Sequence, residues 1–349
     1  MAGMSPPETT ILPNLVVAQR VLDKMAEAAR AWQADETGEA LVGLVEPGLH
    51  TNGVPGIYLL DTIAPDESAL RDAHTFQQGD PHQDELLWWL QENWRARRLR
   101  GDLPPKWDVP LRYLGDWHKQ PGGMTRPSIG DLRTARAWLR DADNGMDFLL
   151  APIVTSCLPD PGPAPNRIRV DGQTRVDFWY LQRRQRDFNS IPAAVYQDGQ
   201  LPRLGAGPWH LRNPQRLDHE LDRLLEAGFV PSPLVFLDLL DHSQLDVCFL
   251  LGRPGAEQLF LVATPPDYPA HAAEFRTTAY MDLDDESALH DRFLQRWRDA
   301  QPLVLTSDGS QAGDRLLAGQ IEELERSANL GTVPVATPPG AGPPYRSAR

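Results

Sequence analysis

Apolar runs of strand length alternate with segments of helical apolar spacing along most of this chain, which restricts it to folds in which helices cover a sheet. Residues 14–33 (NLVVAQRVLDKMAEAARAWQ) set Val17, Val21, Leu22, Met25, Ala29 and Trp32 at helical spacing, predicting one helix. The runs ALVGLVEPG and GIYLLDTIAP follow at strand length and predict a hairpin. Residues 83–98 predict a second helix with Leu86, Leu87, Leu90 and Trp94 on one face. PLRYLGDWHKQP reads as a strand running into a loop, and RPSIGDLRTARAWLRDAD as a helix with strong start signals. DFLLAPIVTS and VDFWYLQRRQRDF are further strands, which close a first unit near residue 188.

Residues 189–212 are rich in Pro and Gly and read as a linker. PQRLDHELDRLLEAGF is then an amphipathic helix with Leu217, Leu221, Leu224 and Leu225 in phase, ending at Gly228. Two strands, LDVCFLLGR and EQLFLVATPP, precede helical segments near 285–299 and 311–328. Residues 1–13 and 331–349 are expected to be a flexible start and a disordered tail. The fold expected is α/β (α+β), in two units.

A length of 349 residues suits two ordinary domains. The net charge of −14 argues against nucleic acid or an anionic membrane as the main partner. No apolar run approaches the ~18 residues of a membrane span, and no signal peptide opens the chain. Two cysteines, Cys157 and Cys248, suit a reducing cytoplasm and exclude a disulfide framework. Lysine is confined to Lys24, Lys106 and Lys119. An arginine-rich codon usage accounts for that most simply, and a setting that penalises lysine acceptors is the other reading.

Three pieces invite chemistry: Glu36 at a helix–strand junction, His118 in WHKQP, and Ser128-Ile-Gly-Asp131 at a helix start. A hydrolytic zinc site needs three protein ligands, an open position for water and a carboxylate to take that water's proton. His118 and Asp131 have the chemistry of ligands, Glu36 that of a general base, and Ser128 that of an oxyanion donor. Taken singly, each residue also has an ordinary reading. Ser128-x-x-Asp131 is a capping-box sequence, His118 a loop or core histidine, and Glu36 a solvated helix-end carboxylate.

Together, ETGEALVG and YLGDWHKQPGGMTRPSIGDLRTA resemble the JAMM (JAB/MPN-domain) metallopeptidases of the prokaryotic branch. Glu36, His118, Pro121, Ser128 and Asp131 fall in that family's register, over residues 14–188. The resemblance implies a mixed sheet with flanking helices and a Zn2+ isopeptidase acting on ubiquitin or ubiquitin-like proteins. Glu36 and Ser128 would be catalytic, and His118 and Asp131 metal ligands. The family's second histidine ligand is here Gln120, a poorer zinc donor than imidazole. Gln120 binding weakly, substitution by His74 or His82, and a dead site are the three outcomes. Glu39 stands where the family usually has glycine and is expected to crowd the strand beside Glu36.

Residues 213–330 resemble the ubiquitin-conjugating-enzyme (UBC/RWD-like) fold, through Arg216-Leu217, Glu220-Leu221 and Tyr268-Pro269. The catalytic His-Pro-Asn segment and the cysteine after it are missing, and Cys248 precedes the turn as a core thiol, so the unit is expected to be inactive. The two resemblances imply a cytoplasmic isopeptidase whose second unit recruits a ubiquitin-like protein or its conjugates. Activating or conjugating enzymes of the same system are further implied partners. The rival expectation is a catalytically silent scaffold in a conjugation complex.

Overall fold

The computed structural model describes residues 12–49, 52–73, 75–78, 82–157, 159, 162–240, 243–280, 288–305 and 315–327. It divides into two compact units, 1–205 and 206–349.

The first unit begins with β1 (Asn14–Ala18), α1 (Gln19–Ala31), β2 (Gly38–Glu46) and β3 (Gly56–Ile63). Short β4 (Leu70–Arg71) and β5 (Phe76–Gln77) precede α2 (His82–Arg100), β6 (Leu111–Lys119) and α3 (Ile129–Arg140). β7 (Phe148–Leu150), β8 (Ile153–Ser156), β9 (Arg167–Arg169), β10 (Thr174–Asp177), β11 (Trp179–Gln182), β12 (Asn189–Ser190) and β13 (Ala193–Tyr196) follow. The main sheet runs β12-β11-β7-β6-β2-β3-β1-β13, with β8, β9 and β10 joined beside β6. It is mixed: β1 pairs parallel with β3 and β13, and β6 parallel with β7 and β8, while β2 is antiparallel to β3 and β6.

The hairpin of β2 and β3 forms as expected. Residues 14–18 do not extend the first helix; they form β1, because parallel pairing on both edges outweighs the local helical spacing. Trp32, expected on the apolar face, is 40% exposed. Residues 189–212 are not a plain linker either. β12 pairs with β11 and β13 with β1, so the first sheet captures residues 189–196 of that stretch.

The second unit contains α4 (Trp209–Arg212), α5 (Pro214–Glu226), β14 (Val230–Pro231), β15 (Val235–Leu237), β16 (Asp246–Gly252) and β17 (Gln258–Thr264). β18 (Glu274–Ala279), α6 (Leu289–Asp299), β19 (Pro302–Leu303) and α7 (Leu317–Ser327) complete it. Its sheet is antiparallel, and Cys248, Leu250, Leu261 and Ala263 pack against Phe293 and Trp297 of α6. On α5 the buried residues are Glu220 and Leu224, while Leu225 is exposed. A glutamate holds this helix face because Tyr268 Oη donates to its Oε1 at 2.7 Å and Leu317 N–H to its Oε2 at 2.7 Å.

Candidate active site

β2 and β6 form the floor of the site. They run antiparallel with Gly38 opposite His118 and Ala40 opposite Asp116. Alternation therefore puts Asp116, His118 and Gln120 on one face. The Lys119 N–H donates to the Thr37 carbonyl at 2.7 Å, carrying the ladder one step past β2. That register sets Glu36, half-buried, opposite Gln120. Gly38 has no room for a side chain, since a Cβ there would lie 2.3 Å from the Trp117 carbonyl oxygen. On the other edge, His118 lies beside Ile153, and Gln120 N–H donates to the Val154 carbonyl at 3.0 Å.

The start of α3 supplies the other half. Ser128 Oγ accepts the Asp131 N–H at 3.2 Å, and Asp131 Oδ2 accepts the Ser128 N–H at 2.6 Å. This is the capping box expected from the sequence. The same Oδ2 lies 3.7 Å from Nε2 of His118. That nitrogen is buried and has no hydrogen-bond partner among the described residues. Burial holds the imidazole below its usual pKa, with the Asp131 carboxylate opposing, so the ring favours the neutral form that ligates metals. An orphaned ring nitrogen beside a carboxylate is costly unless something completes it, which is the chemistry of a metal donor pair.

The structure thus brings His118 and Asp131 together, with Ser128 on the same helix turn and Gln120 next along the strand. Among the described residues no group of three His, Cys, Asp or Glu could hold a metal, so His82, at the start of α2, adds no third donor. His74 lies outside the described residues. Beyond His118 and Asp131, the polar side chain that follows at the end of β6 is Gln120, which is 6% exposed.

Glu39 does not crowd Glu36. It alternates to the opposite face of β2, is buried, and accepts a hydrogen bond from Thr62 Oγ1 on β3. Burial raises its pKa. Sequence reasoning also passed over Asp116. Tyr113 Oη donates to its Oδ2 at 2.5 Å and Gln78 Nε2 to its Oδ1 at 2.8 Å. Burial pushes its pKa up to about 6. The signal available was the strand period, which sets it two residues before His118 on the same face. Tyr113 and Gln78 also line a cleft of about 540 Å3, walled by Leu87 of α2, Trp138 of α3, and Phe148.

No protein-family model matches the chain. A curated relative described as a CD-NTase/cGAS isopeptidase, from Enterobacter hormaechei subsp. hoffmannii, is 26% identical over 132 residues. The match covers 38% of this chain, which spans only about 62% of that relative's length. Among solved structures, a Desulfitobacterium hafniense protein overlays with a TM-score of 0.33 at 14% identity, covering 53% of this chain and 95% of the other. A JAB1/MPN domain protein from Archaeoglobus fulgidus overlays with a TM-score of 0.23 at 14% identity, covering 52% of this chain and 98% of the other.

Proposed function

We propose that the first unit is a zinc-dependent isopeptidase or peptidase that processes or removes a prokaryotic ubiquitin-like protein. The observation that carries this reading is the buried, unpartnered Nε2 of His118 facing the Asp131 carboxylate at 3.7 Å. The relative described as an isopeptidase supports it. His118, Asp131 and the Gln120 amide would hold the metal. Bound zinc supplies Lewis acidity that makes water a nucleophile near neutral pH. Glu36 accepts the proton of the attacking water and passes it to the leaving amine. Ser128 Oγ spends a lone pair on the Asp131 N–H and keeps its own hydrogen, which it donates to the carbonyl oxygen as charge develops. The cleft beside Asp116 takes chain flanking the scissile bond.

The second unit, in this reading, is a conjugating-enzyme-like module that recruits the modifier, its conjugate, or an activating or conjugating enzyme. Two residues that carry its resemblance, Glu220 and Tyr268, bond each other. Cys248 is 0% exposed and burial raises its thiol pKa, which supports reading it as a core thiol. The setting proposed is cytoplasmic. The cysteines are unpaired, and no described helix is long and apolar enough to cross a membrane.

Gln120 favours a second reading, a silent scaffold in a conjugation complex, because an amide oxygen gives up most of an imidazole's zinc affinity. Zinc analysis of the purified protein separates the two. The enzyme reading expects close to one zinc per chain and loss of modifier-fusion cleavage in Glu36→Gln with folding intact. Metal-free protein that binds the modifier regardless of chelator overturns it in favour of the scaffold. Gln120→His is expected to raise both zinc occupancy and cleavage.

A further inference from the structure

We propose that Lys119 is the residue that positions Glu36 in this site; the inference rests on the proposed role of Glu36 as proton acceptor. Lys119 sits between His118 and Gln120 on β6, so its side chain leaves the strand on the opposite face. It is 1% exposed. Its Nζ donates to the carbonyl oxygens of Trp32, of Gln33 at 2.7 Å, and of Asp35 at 3.3 Å. An ammonium has three N–H donors, and these carbonyls take all three.

All three carbonyls belong to the segment that ends α1 and leads directly into Glu36. Trp32 is the C-cap of α1, where a cation complements the helix dipole. The backbone of Lys119 holds the other side of Glu36, through its N–H to the Thr37 carbonyl at 2.7 Å. One residue therefore fixes the carbonyls on both flanks of the proposed base, at positions 35 and 37, while its chain neighbours are the proposed ligands. Gln33 and Ala34 are exposed and Trp32 is 40% exposed, so packing restrains this segment only in part. Charge-assisted bonds to a buried ammonium add to that restraint. Further ties on this segment include Glu36 N–H to the Asp72 carbonyl at 2.7 Å and Arg71 Nε to Thr37 Oγ1 at 3.2 Å. The Arg71 guanidinium also lies 4.5 Å from the Trp32 ring centre.

The test uses the full chain loaded with zinc and a modifier-fusion substrate, comparing wild type with Lys119→Met. Misplacement by about 1 Å can cost roughly 100-fold in rate. Lys119→Met is expected to lower kcat by about 10- to 100-fold with KM and zinc content within about twofold of wild type. Hydrogen exchange of the amides at 33–37 should quicken at least about tenfold, with the rest of the sheet unchanged. Glu36→Gln already lacks cleavage, so in that background the same substitution is read by zinc content, which should stay unchanged for a residue that acts only through Glu36. A general loss of fold would lower the zinc content of that double variant. If Lys119→Met does not fold, Lys119→Gln, which keeps a hydrogen-bond donor, takes the same measurements.

An active wild type whose variant keeps kcat within twofold overturns this inference and leaves the proposed function standing. So does loss of zinc in step with activity, or unchanged exchange at 33–37. A wild type that neither holds zinc nor cleaves overturns the proposed function itself, and the wild-type control alone reveals that case.

Discussion

His210 shows what a single buried titratable side chain does to this protein. It is 6% exposed, stacks on Phe236, and its Nδ1 has no hydrogen-bond partner among the described residues. Burial lowers its pKa from 6.5 to about 4. A histidine kept neutral in the fold stabilises it fully above its unfolded pKa, and that contribution is lost as pH falls from 6.5 toward 4. Each pH unit in the window costs about 1.4 kcal/mol, or about 3 kcal/mol in all. Urea titrations of wild type and His210→Phe across pH 7 to 4 check this. The wild type should lose stability more steeply, by about that amount, and parallel curves would refute it. Residue types in the candidate site were readable in the sequence, because Glu36, His118, Ser128 and Asp131 keep a recognisable order. The carbonyl partner of Lys119, 87 positions away, and the Gln78 partner of Asp116, 38 positions away, were not.

At the scale of elements, α3 couples folding to the site. Its first turn is closed by the reciprocal Ser128–Asp131 bonds, and one of those two residues also faces His118. Replacing an N-cap serine with alanine typically costs about 1 kcal/mol. Ser128→Ala should therefore lower unfolding stability by about that amount in metal-free protein, with Ser128→Thr closer to wild type. Equal midpoints for serine and alanine in denaturant would show that the cap is not holding the turn. The capping box was legible because it is local, spanning three residues. β1 was not, because the apolar spacing of 14–33 satisfies a helix equally well until β3 and β13 present edges to pair with. The α5 face was misjudged for a related reason: Glu220 is buried only because Arg216, Tyr268 and the start of α7 bond to it.

At the scale of the whole molecule, the contacts fall into two sets divided at Gly205 and Ala206, each with its own core. A fragment of residues 1–205 should fold by itself, giving a single cooperative urea transition and dispersed amide resonances. A fragment ending at 188 should be less stable, since it lacks β12 and the β13 partner of β1. A molten 1–205 fragment, or equal stability of the two, would contradict this division. The sequence by itself determined the alternation of helices and strands, the two-unit plan and the candidate residues for the site, because periodicity, caps and side-chain identity are local properties. Only the tertiary structure decided that residues 14–18 and 193–196 are strands, that Glu39 turns away from the site, and that His118 meets Asp131. The physical reason is the same in each case. A strand edge or a buried polar group is satisfied by a partner far along the chain, and local pattern carries no record of which partner arrives.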